Sequence, residues 1–259
     1  VLPWADETDD GPIVNGASDD AWFTGVTAGF GIGETEQSLI PYVLYYKDGN
    51  GATPVFKRSF YTIGLLYDRP TGEDNMFDWS AEYAYQMGER GPSYDTDIKA
   101  SIFEGWFGVS FGENFRNRFH VGVLATSGQD DSDDSTAFQP LFGDTHQRAG
   151  LADLWSATSS TGGGLGANLF TNFTDIYAGW DLTMGAHNFL IAYHQFTLTE
   201  DVLSGGEDDI GSEVDLRYQG TYSQNLTFEV GVASFMPGDW IGSDADSTLR
   251  GWAQARLRF

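Results

Sequence analysis

The chain contains no cysteine, which rules out disulfides and thiolate metal sites as the means of holding it together. Basic residues are scarce: 13 Lys and Arg face 38 Asp and Glu, a formal net charge of −25 over 259 residues. That balance argues against nucleic acid or an anionic lipid surface as the principal partner. No apolar run approaches the roughly 18 residues that a membrane-spanning helix requires. No signal peptide opens the sequence, so Val1 reads as a mature or truncated start. What is present is an odd mixture. Aromatics reach 15% and glycines number 33, yet the mean hydropathy is only −0.30. Strands that show one face to lipid and the other to water have this composition.

Helical periodicity is scarce and period-two alternation is frequent. In "EVDLRYQGTY" (213–222), Val214, Leu216 and Tyr218 alternate with Glu213, Asp215, Arg217 and Gln219. Charged residues at successive positions of one face would be costly in a dry sandwich core. Against a water-filled interior they cost little. Residues 77–88 repeat the scheme, with Phe77, Trp79, Ala81, Tyr83, Tyr85 and Met87 against Asp78, Ser80, Glu82 and Gln86. So do 175–183 and 226–232, the latter with Glu229 on its polar face. In the final "TLRGWAQARLRF", Leu249 through Phe259 form a small and greasy face, while Arg250, Gln254 and Arg256 fall on the other.

Eleven strands are predicted, over about 21–32, 38–47, 57–68, 76–88, 97–111, 117–126, 172–183, 187–199, 213–223, 225–235 and 246–259. Most are long enough to cross a bilayer at a tilt. For 38–47 and 187–199 the pattern does not say which face is apolar. The connections alternate between short ones (33–37, 69–75, 112–116, 185–186, around 224) and longer, acidic or Gly-rich ones (48–56, 89–96, 127–171, 200–212, 236–245). Transmembrane β-barrels have short periplasmic turns and long extracellular loops. The expected fold is therefore all-β, an antiparallel transmembrane β-barrel filling residues 1–259 as one domain. Counting back from a periplasmic C-terminus puts 1–20 outside the cell, as the remnant of an extracellular loop. An open eleven-stranded sheet leaves two edges in lipid, so the chain reads as the C-terminal part of a barrel of about 16–18 strands.

Three stretches carry a family resemblance: "FQPLFGDTHQRAGLADLW" (138–155), "TDIYAGWDLTMGAHNFLIAYHQFTL" (174–198) and "IGSEVDLRYQGTYSQNLTFEVGVASFMPGDWI" (210–241). Phe138, Leu141, Phe142, His146, Gly150 and Asp153 resemble a long-loop signature. Tyr193-His194-x-Phe196, Gly211-x-Glu213-x-Asp215 and Phe235-x-Pro237-Gly238 resemble closing strands. Together they are similar to the alginate-export family of outer-membrane β-barrels. The resemblance implies a monomeric barrel in the outer membrane of a Gram-negative bacterium. It also implies passive passage of a solute, in the name-giving members an acidic polysaccharide guided by pore arginines. Here the expected lining mixes Arg217, Arg250, Arg256 and Arg258 with Glu82, Glu213, Asp215 and Glu229, and so is zwitterionic.

The expected function is a porin-like channel for a hydrophilic solute, an oligosaccharide or an organic acid, with those charged residues lining the pore. The alternative is a structural barrel that sheathes or docks a protein partner in a larger complex. Outer-membrane lipid surrounds either, and Phe259 resembles the terminal aromatic read by barrel-assembly machinery. Wall pairing of Arg217 with Asp215 or Glu213 competes with a filtering role. The segment 127–171 is too long to be an idle connection and is expected either outside the cell or folded inward to constrict the pore. Within it, "GQDDSDD" (128–134) lacks EF-hand spacing and reads as a solvated acidic loop. "STGGGLG" (160–166) is no P-loop and reads as a hinge. His146 lies near Asp144 and Asp153, but no nucleophile motif accompanies it. Neither catalysis nor a cofactor or metal is expected.

Overall fold

The structure is a computed structural model that describes residues 21–33, 37–48, 57–70, 76–91, 95–140, 149–152, 154, 171–201, 206–242 and 244–258. The remnant 1–20, His146, 160–166 and Phe259 lie outside the described residues. The chain forms a single antiparallel sheet. β1 (Ala21–Thr27) and β2 (Phe30–Ile32) both pair with β3 (Gln37–Asp48). There follow β4 (Arg58–Arg69), β5 (Phe77–Arg90), β6 (Thr96–Phe111), β7 (Arg116–Thr126), β8 (Phe173–Met184), β9 (His187–Thr197), β10 (Asp209–Ser223), β11 (Leu226–Pro237) and β12 (Thr248–Leu257). From β3 onward each strand pairs with its sequence neighbours, and the sheet runs in order from β1 to β12. It does not close on itself among the described residues, and a β-barrel is compatible with it.

All eleven predicted strands are present, with one division. The first is broken between Thr27 and Phe30, although the pairing register Thr27↔Tyr42 and Phe30↔Leu39 runs straight through the gap. The residue opposite the gap is Pro41. It accepts from Ala28 N–H at 3.1 Å but has no N–H to return, so one ladder bond is missing and the strand reads as two.

Strand length suits a membrane. A strand of 11 residues such as β7 or β9 extends about 36 Å, and at a tilt near 45° spans about 25 Å, the height of a barrel's apolar band. The outer face carries that band. Ile63 and Leu65 of β4, Phe103 and Phe107 of β6, Phe119 and Val121 of β7, Ile191 of β9 and Leu216 of β10 all stand exposed there. So continuous an apolar surface is not tolerated in water. Toward the short turns the outer face becomes a belt of paired rings: Phe77–Phe107 and Phe111–Phe119 at 5.9 Å, Phe119–Trp180 at 6.2 Å and Phe189–Tyr218 at 4.9 Å. Aromatic girdles at a membrane interface have this form. The β8–β9 turn is only Gly185 and Ala186, with Gly185 at φ +58, where a side chain is disfavoured.

The inner face explains the two strands whose apolar side was ambiguous. In β9, Phe189, Ile191 and Tyr193 point outward, while Ala192, His194 and Phe196 are buried inside. In β3, Val43 is exposed outside and Tyr46 is buried inside. Both faces carry apolar residues because part of the inner face is itself covered by protein.

Candidate functional site

The cover is the segment that follows β7. Its described parts, 127–140 and 149–152 with Leu154, are fixed to the sheet at two places and together are called the strap. The first is over β4–β6. Ser135 forms a parallel bridge with Ile98, donating N–H to Asp97 O (2.7 Å) and accepting from Lys99 N–H (3.0 Å). Gln86 and Gln139 bond reciprocally: Gln139 N–H donates to Gln86 Oε1 (2.8 Å), and Gln86 Nε2 donates to Gln139 O (2.9 Å). Phe138 inserts among Tyr46, Phe60, Ile98 and Ala100. Burying such a ring stabilises by about 1.5–3 kcal/mol.

The second attachment is over β10–β12. Leu151 N–H donates to Asp215 Oδ2 (3.1 Å), Ala152 N–H donates to Glu213 Oε1 (2.8 Å), and Arg250 Nη1 donates to Leu151 O (3.0 Å). Ala149 joins a core of Leu124, Phe173, Phe196, Ile210 and Phe235, and Leu151 and Ala152 pack on Ala233. Gly150, at φ +78, lies so close to Glu213 that a Cβ there would stand 2.5 Å from Oε1. Beneath this attachment His194 Nδ1 stands 2.8 Å from Asp175 Oδ2, and Nε2 stands 3.6 Å from Asp215 Oδ2.

Further toward the short turns the inner face is a polar wall. Arg118 donates Nε–H to Asp78 Oδ2 (2.7 Å) and Nη1–H to Asp181 Oδ2 (3.3 Å), and lies 5.1 Å from the Trp106 ring. Tyr42 donates its hydroxyl to Glu82 Oε1 (2.5 Å), and Trp252 donates its indole N–H to Glu229 Oε1 (2.9 Å). Glu82 and Glu104 are register partners on this face. The strand pairings therefore bring arginines and a larger set of carboxylates onto one surface, with most of their polar atoms engaged.

The residues expected to line a pore all fall on this inner face, in three situations. Glu213 and Asp215 are fully buried and hold the strap. Glu82, Glu229 and Arg250 are half-buried and hydrogen-bonded as described. Arg217 is half-buried with its Nε unpartnered among the described residues, while Arg256 near the end of β12 is exposed. Arg217 makes no ion pair with Asp215 or Glu213 among the described residues, and one oxygen of each carboxyl accepts from a strap amide instead. The acidic stretch 128–134 is a tied turn. Asp130 accepts from Ser132, Gln129 Nε2 donates to Asp134 O (2.7 Å), and Asp134 meets Lys99 Nζ at 2.6 Å. Outside the membrane-spanning strands, the Ser132 hydroxyl and amide hold the Asp130 carboxyl below its ordinary value.

Sequence reasoning gave no site role to Asp175, Asp78, Arg118 or Asp181, and His194 entered only through the family-like stretch Tyr193-His194-x-Phe196. Asp78, Asp175 and Asp181 were readable as polar-face positions of their strands. Their partners, on other strands up to two hairpins away, were not.

A family model described as alginate export matches residues 8–252. The chain belongs to the alginate-export family. This is a transport family of the outer membrane, which agrees with the two-faced all-β sheet and with a lipid environment for its outer face. No curated protein matches the chain.

Proposed function

We propose that this alginate-export family member forms the wall of a passive channel for a hydrophilic solute across the outer membrane of a Gram-negative bacterium. The observation that carries the reading is the partition of the sheet: an exposed apolar outer face against a charged and hydrogen-bonding inner face, on strands of bilayer-crossing length. The strap narrows the passage, because it is bonded to both sides of the inner face at Gln86 and at Glu213, Asp215 and Arg250. Solute passes beside the strap along the wall bearing Glu82, Arg217, Glu229 and Arg256. Transport is the role this wall supports, since wall and strap donors hold Glu82, Glu229, Glu213 and Asp215 in place as parts of the lining.

The intact protein, reconstituted into planar bilayers, is expected to give stepwise ionic conductance. A correctly folded preparation that never conducts refutes the reading.

A further inference from the structure

Four inner-face glycines stand directly opposite four aromatic residues of neighbouring strands: Gly64 and Tyr42, Gly122 and Tyr177, Gly179 and His120, Gly231 and Trp252. In each pair the ring lies across the glycine, where a Cβ would overlap it. Packing of an aromatic over a cross-strand glycine holds the ring down against the sheet instead of letting it stand upright. The rings are also tethered at their tips, Tyr42 by Glu82 and Trp252 by Glu229, while Tyr177 lies between His194 (5.3 Å) and His120 (6.1 Å). All four are half-buried, not sealed.

Their position is as informative as their posture. Trp252 is the next inward residue after Arg250, which holds the strap, and it packs against the strap's Leu151–Ala152 cluster. Tyr42 is the next inward residue after Leu44, whose register row contains Gln86, the other holder. Tyr42 and Trp252 thus border the strap on its short-turn side, and Tyr177 lies in the register row of Glu213, which holds it. Charge does not dominate there. Arg118 is neutralised by Asp78 and Asp181, and Glu82 and Glu104 add negative charge to the same wall. Arg217, in the register row of Trp252, and Arg250 offset them, so a polyanion gains no net attraction from this wall.

We propose that the solute is an uncharged oligosaccharide, and that Tyr42, Tyr177 and Trp252 are its specificity-determining contacts. Pyranose rings present apolar C–H faces that stack on flat aromatics, while their hydroxyls exchange hydrogen bonds with adjoining carboxylates and arginines. This inference rests on the channel reading and selects among its solutes.

The test uses the intact protein in planar bilayers with three probes: a neutral linear glucan hexamer, a polyuronate hexamer of equal length, and citrate. The glucan is expected to interrupt the current at the lowest concentration. Trp252→Ala weakens that block about tenfold, the scale of one aromatic contact, and Trp252→Phe restores it. Tyr177→Leu, which keeps apolar bulk without a ring, guards against misfolding of the first variant and weakens the block similarly. Tyr83→Ala on the outer face leaves it as in the parent. Stronger block by polyuronate or citrate, or glucan block in Trp252→Ala and Tyr177→Leu as strong as in the parent, overturns the proposal while the channel reading stands. Absence of conductance overturns both.

Discussion

Replacing Gly150 by valine strikes the strap at the point where backbone and side-chain geometry leave least room. The position has φ +78, and a Cβ would stand 2.5 Å from Glu213 Oε1. Holding a β-branched residue in the left-handed region costs about 1–3 kcal/mol. Displacing the Glu213 carboxyl also strands the buried Ala152 N–H, which costs about 1–3 kcal/mol more. The sum, near 4 kcal/mol, falls on a short segment whose release leaves the strand ladder intact, so the expected event is local opening rather than unfolding. Hydrogen exchange on the detergent-solubilised protein is the direct assay. The Leu151 and Ala152 amides should exchange on the order of a thousandfold faster, while amides at the centres of β5 and β6 keep their protection. In bilayers the variant should show larger and noisier conductance steps, because one fastening of the strap is gone while the Gln86–Gln139 fastening remains. Unchanged exchange at 151 and 152 in a folded variant would mean that Glu213 does not hold the strap, and the constriction argument would fail with it.

Removing Arg118 as alanine leaves the buried Asp78 and the half-buried Asp181 without their shared cation, with an expected loss of about 3 kcal/mol. Thermal unfolding in detergent reads it, and adding Asp78→Asn should recover part; full stability of the single variant would contradict the network. Leu216→Arg, on the lipid face, should cost about 2–4 kcal/mol in vesicle folding titrations, whereas Thr227→Arg, on the inner face, should cost little. Equal costs would refute the assignment of faces. The Asp130 carboxyl is held below its ordinary value by Ser132, so its turn is fully bonded above the usual carboxylate range and loosens only as pH falls through the lowered value. An Asp130 side-chain titration by NMR with a midpoint at or above 3.8 would contradict that.

How much of this was legible in the sequence follows from the range of the forces involved. Period-two alternation in 77–88 and 213–222 is local, and it marked these segments as strands of an antiparallel all-β sheet, as the structure has them. Glu213, Asp215, Arg217 and Glu229 could be assigned to one face because each needs only its own strand's parity. Pro41 also stood in plain view, but its effect could not be read until pairing put Ala28 opposite it. For 38–47 and 187–199 the alternation was blurred, since residues such as Tyr46 and Phe196 are apolar on the inner face too. Their cover, Phe138 and Ala149, comes from a segment elsewhere in the chain.

The strand content, the two-faced sheet and the membrane setting were thus determined by the sequence alone, because a backbone that alternates its side chains converts composition directly into faces. Tertiary structure decided what the polar face does. Only the antiparallel register sets Trp252 across Gly231 and Tyr42 across Gly64. Only the path of the strap turns Glu213 and Asp215 from expected open wall charges into buried acceptors of backbone N–H groups. Contacts between residues 61 to 99 positions apart depend on how the whole chain closes up, and no local pattern encodes them.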